Sequence, residues 1–343
     1  MASSDPRITE AEDRATDAVE AKAQAPQLSV VFLGTGARQP TASRGVPATM
    51  IVRGGERILV DCGEGTQRQL LRSSVGLHAI SAILITHIHA DHVLGLPGLL
   101  ATFSDVRTAP LVLAGPPGTR ELIDGFQPHF GQLNFRLQVR EMASGETIQR
   151  PGYRLVALRA LHGAAAIGWA LVEDLRPGHL KPAEARRQGV PEGPLLQRLA
   201  AGEDVNVGRR TISARSVTGP PQPGRRIIFS GDTRPLEATA QAARGADLLV
   251  HEATFLSKDR SRAEASQHTT AREAARLAES AGVRALALIH HSQRYSTDVI
   301  LEEARRHYPG AMAPNDFDVI EVPLPEHGVP RLIPAGALTA PPA

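Results

Sequence analysis

Aromatic residues, cysteines and long apolar runs are all scarce in this 343-residue chain. Aromatic side chains make up only 3% of it, so aliphatic side chains must supply most of the core. The single cysteine, Cys62, excludes an internal disulfide and is typical of proteins in a reducing compartment, which predicts a cytoplasmic location. No apolar run approaches the roughly 18 residues of a membrane-spanning helix, and the N-terminus lacks the apolar region of a secretory signal. The sequence therefore predicts a globular protein with no membrane partner.

Size and charge set only broad limits. The chain is 42% hydrophobic, enough for a sizeable core, and although its net charge is only +2, its pI near 9.0 points weakly to anionic partners. Residues 1–26 carry many Ala, Glu, Asp and Arg residues without an apolar stripe, and we predict a disordered extension there. Residues 326–343 are rich in Pro and Ala and are predicted to be an unstructured tail. The folded domain is thus expected to span residues 27–325.

A run of metal-ligand side chains follows a buried strand in the first third of the chain. The apolar residues 82–85 predict that strand. The next seven residues, 86–92, read Thr-His-Ile-His-Ala-Asp-His and contain three imidazoles and one carboxylate. These are ligands that zinc and other first-row metals prefer, whereas magnesium and calcium favour oxygen ligands. The spacing predicts a metal site at the end of the strand.

The same order of core strand, polar turn and helix recurs along the chain. Ligand-type side chains at the ends of strands are expected to gather at one edge of strand-rich layers. The pattern therefore predicts an α/β fold, a four-layer sandwich with helices outside two sheets and one site at its mouth. The further turns carry His162, Asp232, Glu252, His268 and His290.

Three segments remain open to two interpretations each. Gly34-Thr35-Gly36 follows a strand like a dinucleotide-binding turn, but Gln39 stands where the third glycine belongs, so this interpretation is disfavoured. Asp61 either caps the helix after it or orients the metal loop. Residues 173–208 form either a solvated surface loop or an arm whose cations touch phosphate. The cations considered in that arm are Arg176, Lys181, Arg186, Arg187 and Arg198.

The number of candidate ligands suggests the chemistry. Seven exceed what one tetrahedral zinc needs and suit two ions that share a bridging carboxylate. Such a pair activates a hydroxide for attack on an ester, most plausibly a phosphodiester. Asp91 is the candidate proton acceptor, and His268 held by Glu252 is the candidate proton donor to the leaving oxygen. The seven candidate ligands are His87, His89, Asp91, His92, His162, Asp232 and His290.

Several motifs together resemble the metallo-β-lactamase superfamily and, within it, the ribonuclease Z family. The resemblance extends from about residue 29 to residue 322. The His-x-His-x-Asp-His run specifies only the superfamily. The His-Glu-Ala-Thr and His-Thr-Thr segments indicate the ribonuclease Z family within that superfamily. The matching motifs are Phe-Leu-Gly-Thr-Gly-Ala at 32–37, Asp-Cys-Gly-Glu-Gly-Thr-Gln at 61–67, Thr-His-Ile-His-Ala-Asp-His at 86–92, Gly-Leu-Pro-Gly-Leu-Leu at 95–100, Ser-Gly-Asp-Thr-Arg at 230–234, His-Glu-Ala-Thr-Phe at 251–255, His-Thr-Thr at 268–270 and Arg-Tyr at 294–295.

This resemblance implies a zinc-dependent endoribonuclease with a metallo-β-lactamase sandwich. Such an enzyme removes the 3′ trailer from precursor tRNA and leaves a 3′-hydroxyl. It would bind two Zn²⁺ per subunit, and residues 173–208 would be a flexible exosite arm that grips tRNA from the partner subunit of a homodimer. The implied roles are one zinc on His87, His89 and His162, the other on Asp91, His92 and His290, Asp232 as the bridge, Asp91 as proton acceptor, and His268 with Glu252 as proton shuttle.

One loop departs from the family pattern. Bacterial relatives often carry Pro-x-Lys-x-Arg-Asn after the first strand, whereas residues 40–45 here read Pro-Thr-Ala-Ser-Arg-Gly. In the family that loop helps reject tRNA already ending in CCA, so an added 3′-exonuclease activity is one alternative function. A hydrolase of a small phosphodiester, lactone or thioester is another. An RNA-binding protein with a vestigial metal site is the non-enzymatic alternative.

Overall fold

The structure is a computed structural model that describes residues 26–337. The predicted disorder of residues 1–26 therefore lies outside the described residues, apart from Pro26, and so does the tail from residue 338 onward. The chain divides into two compact units, of which the larger comprises residues 27–172 and those from 225 onward. The smaller includes residues 173–224. None of the helices within residues 26–337 has the length and apolar character of a membrane span.

Two sheets form the centre of the larger unit, and a short hairpin belongs to the smaller one. The strand order is β17-β16-β1-β2-β3-β4-β5-β6 in one sheet and β15-β14-β13-β12-β9-β8-β7 in the other, with β10-β11 as the hairpin. In chain order the strands are β1 (Leu28–Gly34), β2 (Ala48–Arg53), β3 (Glu56–Val60), β4 (Ile80–Leu84), β5 (Leu111–Gly115), β6 (Leu137–Glu141), β7 (Thr147–Arg150), β8 (Tyr153–Arg159), β9 (Ile167–Glu173), β10 (Val205–Val207), β11 (Arg210–Ile212), β12 (Arg226–Phe229), β13 (Leu248–Glu252), β14 (Leu286–Ile289), β15 (Ala311–Met312), β16 (Val319–Glu321) and β17 (Arg331–Ile333).

Helices cover the outer faces of both sheets. Three short 3₁₀ turns accompany them at Ser257–Asp259, Pro325–His327 and Ala335–Ala337. In chain order the α-helices are α1 (Thr66–Arg72), α2 (Ala90–Val93), α3 (Leu96–Val106), α4 (Thr119–Phe130), α5 (Pro182–Arg187), α6 (Pro194–Ala200), α7 (Ala214–Val217), α8 (Glu237–Ala243), α9 (Arg260–Ala265), α10 (Ala271–Ala281) and α11 (Thr297–Arg305).

Three apolar clusters define the layers of the larger unit. One lies between the sheets and includes Trp169, Tyr153 and Phe32, each no more than 1% exposed. A second packs helices α1, α3 and α4 against the eight-stranded sheet, and a third packs α8, α10 and α11 against the other sheet. Burial of this apolar surface is the main favourable term for the fold. The predicted four-layer α/β sandwich of the metallo-β-lactamase type is confirmed.

Parallel pairing explains why distant side chains meet at one edge. Strands β3 to β6 pair in parallel, as do β12 to β15. Val60 lies opposite Leu84, and Glu252 lies opposite Ile289. The residues after these strands therefore leave the sheets side by side, which brings Asp61 beside Thr86 and puts Glu252 near His290.

The structure differs from the predicted boundaries at two places. Strand β17 lies inside the predicted tail and pairs antiparallel with β16, Val319 opposite Ile333. Only three residues separate Pro330 from Pro334, too few for a recognisable period. The inserted unit also continues to Gly224 instead of ending at residue 208.

The inserted unit has its own small core. Several short elements each contribute only one or two apolar side chains to this core, so no single segment shows an amphipathic period. Backbone hydrogen bonds between Arg176 and Gln222, of 2.8 and 2.9 Å, join the two chain segments at its base. The buried members of this core are Ala185, Val190, Leu196, Leu199, Val205, Ile212, Ala214 and Val217.

Candidate metal centre

The first candidate metal ligands lie directly after the end of strand β4. His87 forms a β-bridge with Ala166 and is fully buried, which holds its ring at the inner edge of the sandwich. His89 is the N-cap of the single-turn helix α2, which then carries Asp91 and His92. One compact turn thus directs all four predicted side chains of this run towards the same space.

The first group of candidate ligands contains three imidazoles. His87 Nε2 lies 3.0 Å from His89 Nδ1, and His89 Nδ1 lies 3.2 Å from His162 Nε2. His162 comes from the segment between β8 and β9, far from the other two in sequence. Its other ring nitrogen, Nδ1, lies 3.1 Å from the carbonyl oxygen of Gln267, so that nitrogen is the protonated one and Nε2 is free to accept a ligand bond.

The second group contains Asp91, His92 and His290. Asp91 Oδ2 lies 3.8 Å from His92 Nε2 and 3.5 Å from His290 Nε2. Burial alone would raise the pKa of Asp91, but the nearby His290 and His92 rings outweigh it and hold that pKa well below its usual range. Asp91 is therefore ionised at neutral pH, as a ligand or a proton acceptor must be.

Asp232 lies between the two groups. Its Oδ2 is 3.8 Å from His87 Nε2, 3.5 Å from His92 Nε2 and 3.2 Å from His290 Nε2. Only 4% of this residue is exposed. The structure thus brings all seven sequence-predicted ligands together, as two triads with one carboxylate facing both.

The donor set fits divalent cations. The Nε2 atoms of His92 and His290 are buried and make no well-aligned hydrogen bond within the described residues, although Asp232 Oδ2 lies 3.5 and 3.2 Å from them. Leaving such atoms unpaired costs about 1–3 kcal/mol each, whereas a metal ion would satisfy them. Imidazole nitrogens and carboxylate oxygens that converge without donors between them are the ligands expected for zinc.

Neighbouring polar groups orient the ligands. Asp61 Oδ2 accepts a hydrogen bond of 2.8 Å from His92 Nδ1, and Asp61 Oδ1 accepts one of 2.8 Å from the Thr86 amide. Helix α1 begins after Gly65, so Asp61 is not its cap and the orienting interpretation is the one observed. Thr254 Oγ1 pairs with His290 Nδ1 at 2.7 Å. The sequence indicated no role for Thr254, although it lies in the His-Glu-Ala-Thr-Phe motif, or for Gln267, because a partner that acts through its hydroxyl or backbone is not recognisable by residue type and spacing.

Glycine is required at position 63, where the turn formed by residues 86–92 packs against the segment that follows β3. A Cβ atom added at Gly63 would lie 2.1 Å from the carbonyl oxygen of Asp91. Any side chain there would push the Asp91 backbone away from the site. This contact gives a physical reason for the Asp-Cys-Gly segment at 61–63.

The predicted proton-transfer pair lies beside the ligands. His268 Nδ1 is 2.9 Å from Glu252 Oε1 and 3.8 Å from Asp232 Oδ2. Glu252 also accepts hydrogen bonds from the Thr233 amide at 2.8 Å and the Thr254 hydroxyl at 2.6 Å, which fix its carboxylate. Burial alone would lower the pKa of His268, but the Glu252 carboxylate raises it to about 9.

Comparison with known proteins agrees with this geometry. Residues 43–198 match the metallo-beta-lactamase superfamily, and residues 199–291 match a beta-lactamase superfamily domain. A ribonuclease Z of Methanosarcina acetivorans is 42% identical over 301 residues, which are 86% of this chain and 98% of the relative. The chain belongs to the ribonuclease Z family. A ribonuclease Z of Haloferax volcanii is 44% identical over 309 residues, covering 86% of this chain and 95% of that one.

Solved structures extend the family relation to the fold. The crystal structure of human tRNase Z, short form, matches with a TM-score of 0.63 and 28% identity, over 86% of this chain and all of that chain. The predicted membership of the ribonuclease Z family and of its hydrolase superfamily is confirmed. A non-enzymatic RNA-binding protein is not supported by these relatives, whose names are those of an enzyme.

Proposed function

We propose that this chain is the endoribonuclease that removes 3′ trailers from precursor tRNA. One observation carries the proposal: seven ligand-type side chains from four separate segments converge as two triads, with Asp232 between them. The relation to ribonucleases Z supplies the substrate class. Phosphodiester hydrolysis is the chemistry that this donor set suits best.

The proposed ligand roles follow the two triads. His87, His89 and His162 would hold one Zn²⁺ and Asp91, His92 and His290 the other, with Asp232 shared. Two such ions supply Lewis acidity and a nucleophile at neutral pH. Protein side chains carry out the proton transfers. Asp91 accepts the proton of the attacking water. His268, oriented by Glu252, gives a proton to the departing 3′ oxygen of the discriminator nucleotide, and the phosphate stays on the 5′ end of the trailer. Glu252 acts through His268 and is a positioning residue.

Cleavage of matched precursors tests this function. A precursor with a 3′ trailer and no encoded CCA is expected to yield one cut after the discriminator base and a 3′-hydroxyl end. The same precursor with CCA addresses the altered 40–45 loop, because rejection of CCA leaves it intact whereas exonuclease activity gives a ladder of ends. Mapping every product end separates these outcomes. Failure to cut either precursor, with hydrolysis of a small phosphodiester, lactone or thioester instead, would favour the alternative hydrolase.

We also propose that the inserted unit is the tRNA-binding arm. Arg186, Arg187 and Arg198, which the sequence suggested as phosphate contacts, each pair with a glutamate. By contrast, the β10–β11 hairpin and helix α7 expose three cations for which the described part of the chain shows no ion pair. A cation already paired gives up an interaction when it binds phosphate, whereas a free one does not. The three exposed cations are Arg209, Arg210 and Arg215.

Removing the hairpin cations is expected to weaken tRNA binding without affecting the chemistry. For the double variant Arg209→Ala and Arg210→Ala, the slope of log K against log salt should fall by about two, one for each lost phosphate contact. The kcat for a small phosphodiester should be unchanged. The matched control is Arg198→Ala, whose guanidinium lies 2.8 Å from Glu203. If both substrates lost activity equally, the hairpin would serve the fold and not the RNA.

The resemblance to the ribonuclease Z family suggests the oligomeric state of this chain, and its composition suggests its location in the cell. We propose a homodimer, which sedimentation would report as twice the 36.5 kDa chain mass. We also propose a cytoplasmic location, consistent with the one free cysteine, Cys62, which is buried. Fractionation of cells that express a tagged chain tests the location.

A further inference from the structure

The loop formed by residues 36–45, called the 36–45 loop below, touches both sides of the metal centre through its backbone. The amide of Arg38 donates a 2.8 Å hydrogen bond to Asp91 Oδ2. The amide of Ala37 donates to the carbonyl of His291 at 3.1 Å, and the amide of His291 donates to the carbonyl of Thr35 at 3.0 Å. His291 directly follows the candidate ligand His290. The position of this loop therefore bears on two candidate ligands.

A buried carboxylate on the opposite side fastens both ends of the loop. Asp316 Oδ1 accepts from the Thr35 amide at 3.1 Å and the Thr35 hydroxyl at 2.8 Å. Its Oδ2 accepts from the Gly45 amide at 2.6 Å and from Gln69 Nε2 at 2.9 Å. Asp316 is only 9% exposed, so these donors take the place of water.

Arg44 ties the same region together from within the loop. Its guanidinium donates to the hydroxyl of Thr35, to Thr297 Oγ1 at 2.5 Å and to Asn315 Oδ1 at 2.8 Å. The loop is therefore held through charge-assisted hydrogen bonds to three separate parts of the chain. Arg38 has a φ of 63°, a conformation that non-glycine residues adopt only at some cost. The fixed ends of the loop keep the Arg38 amide directed at Asp91.

We propose that Asp316 and Arg44 are positioning residues for the metal centre. They act through the 36–45 loop, whose Arg38 amide sets the orientation of the Asp91 carboxylate. This inference rests on the proposed role of Asp91 as a metal ligand and proton acceptor. It assigns a function to two residues that carry no ligand atom for the metal and lie outside the predicted site.

Zinc affinity, measured by competition with a chromogenic chelator, tests the proposal without RNA. In Asp316→Asn the side chain has one accepting oxygen and one donating amide group where four donors converge. The hydrogen bonds from Thr35 or the one from Gly45 must therefore be lost. Asp316→Asn is expected to weaken zinc binding by about 10–100-fold, the usual cost of losing a partner that orients a ligand. With bis(p-nitrophenyl) phosphate, kcat should fall by a similar factor while KM changes little.

Asp247→Asn is the matched control. Asp247 is also buried, at 4% exposure, and its two oxygens accept from the Arg226 amide at 2.8 Å and from Arg284 Nη1 at 2.8 Å, but from no residue of the loop. Both variants should lower the melting temperature of the metal-free protein, and only Asp316→Asn should weaken zinc binding. Equal zinc affinities in the two variants would overturn the proposal and leave Asp316 a purely structural residue.

Arg38→Gly separates the backbone contact from the side chain. Glycine keeps the amide that reaches Asp91 and accepts the positive φ, so zinc affinity should stay within about twofold of the unaltered protein. A loss as large as that of Asp316→Asn would contradict a backbone contact. Failure of the unaltered protein to cut precursor tRNA would refute the proposed function, yet the zinc affinities would still decide this inference.

Discussion

Replacing Asp91 with alanine is expected to lower kcat for precursor-tRNA cleavage by at least about a thousandfold. A positioned general base contributes about 10²–10⁴, and the same side chain is a candidate metal ligand, so both contributions are lost together. Asp91 Oδ2 lies within 3.8 Å of the Nε2 atoms of both other members of its triad, His92 and His290. Single-turnover cleavage of a trailer-bearing precursor is the measurement.

The control for Asp91→Ala is Asp105→Ala, which removes an exposed carboxylate near the end of helix α3. It should cleave at the normal rate. The zinc content of both variants, measured on the same preparations, shows how much of the loss comes from the ligand role. Near-normal cleavage by Asp91→Ala would refute the assignment of this carboxylate.

Replacing His268 with alanine should slow tRNA cleavage by about 10²–10⁴-fold while sparing an activated substrate. The departing 3′ oxygen of the discriminator nucleotide is a poor leaving group that needs a proton. Nitrophenolate, released from bis(p-nitrophenyl) phosphate, leaves without one. Because Glu252 raises the pKa of His268 to about 9, the ring carries the required proton at neutral pH. The ratio of the two losses, measured as kcat for each substrate, reports the proton donor specifically.

Two further variants accompany His268→Ala. His129→Ala removes an exposed imidazole on helix α4 and should change neither rate. Glu252→Gln keeps a side chain of the same size beside His268 but removes its charge, so it should give a smaller loss with the same preference for the activated substrate. Equal losses on both substrates for His268→Ala would assign the ring to metal binding or to the fold instead.

The sequence predicted much of the site because its ligands carry local signals. The spacing of His and Asp residues in the 86–92 run is typical of a metal site, and His162, Asp232 and His290 each follow a recognisable strand. Helix α10, which follows His268, begins at a complete capping box of Thr270 and Glu273, a signal contained within four residues of sequence. Parallel pairing then brought these strand ends to one edge, as the recurring pattern implied.

What the sequence could not predict depends on long-range contacts. Asp316 accepts a hydrogen bond from Thr35, which lies 281 residues earlier in the chain, and no local sequence pattern indicates that these two residues are partners. The pairing of Asp61 with His92 decided between two local interpretations that the sequence left equal. Short segments were placed poorly for a different reason: β17, at Arg331–Ile333, lies inside the predicted tail because three residues give no clear period.

Anomalous diffraction at the zinc absorption edge, on crystals of the full chain grown with zinc, tests the convergence of the seven ligands most directly. We expect two peaks per chain, one among His87, His89 and His162 and one among Asp91, His92 and His290, with Asp232 contacting both. No peak at these residues, or His162, Asp232 or His290 lying away from the 86–92 turn, would contradict it.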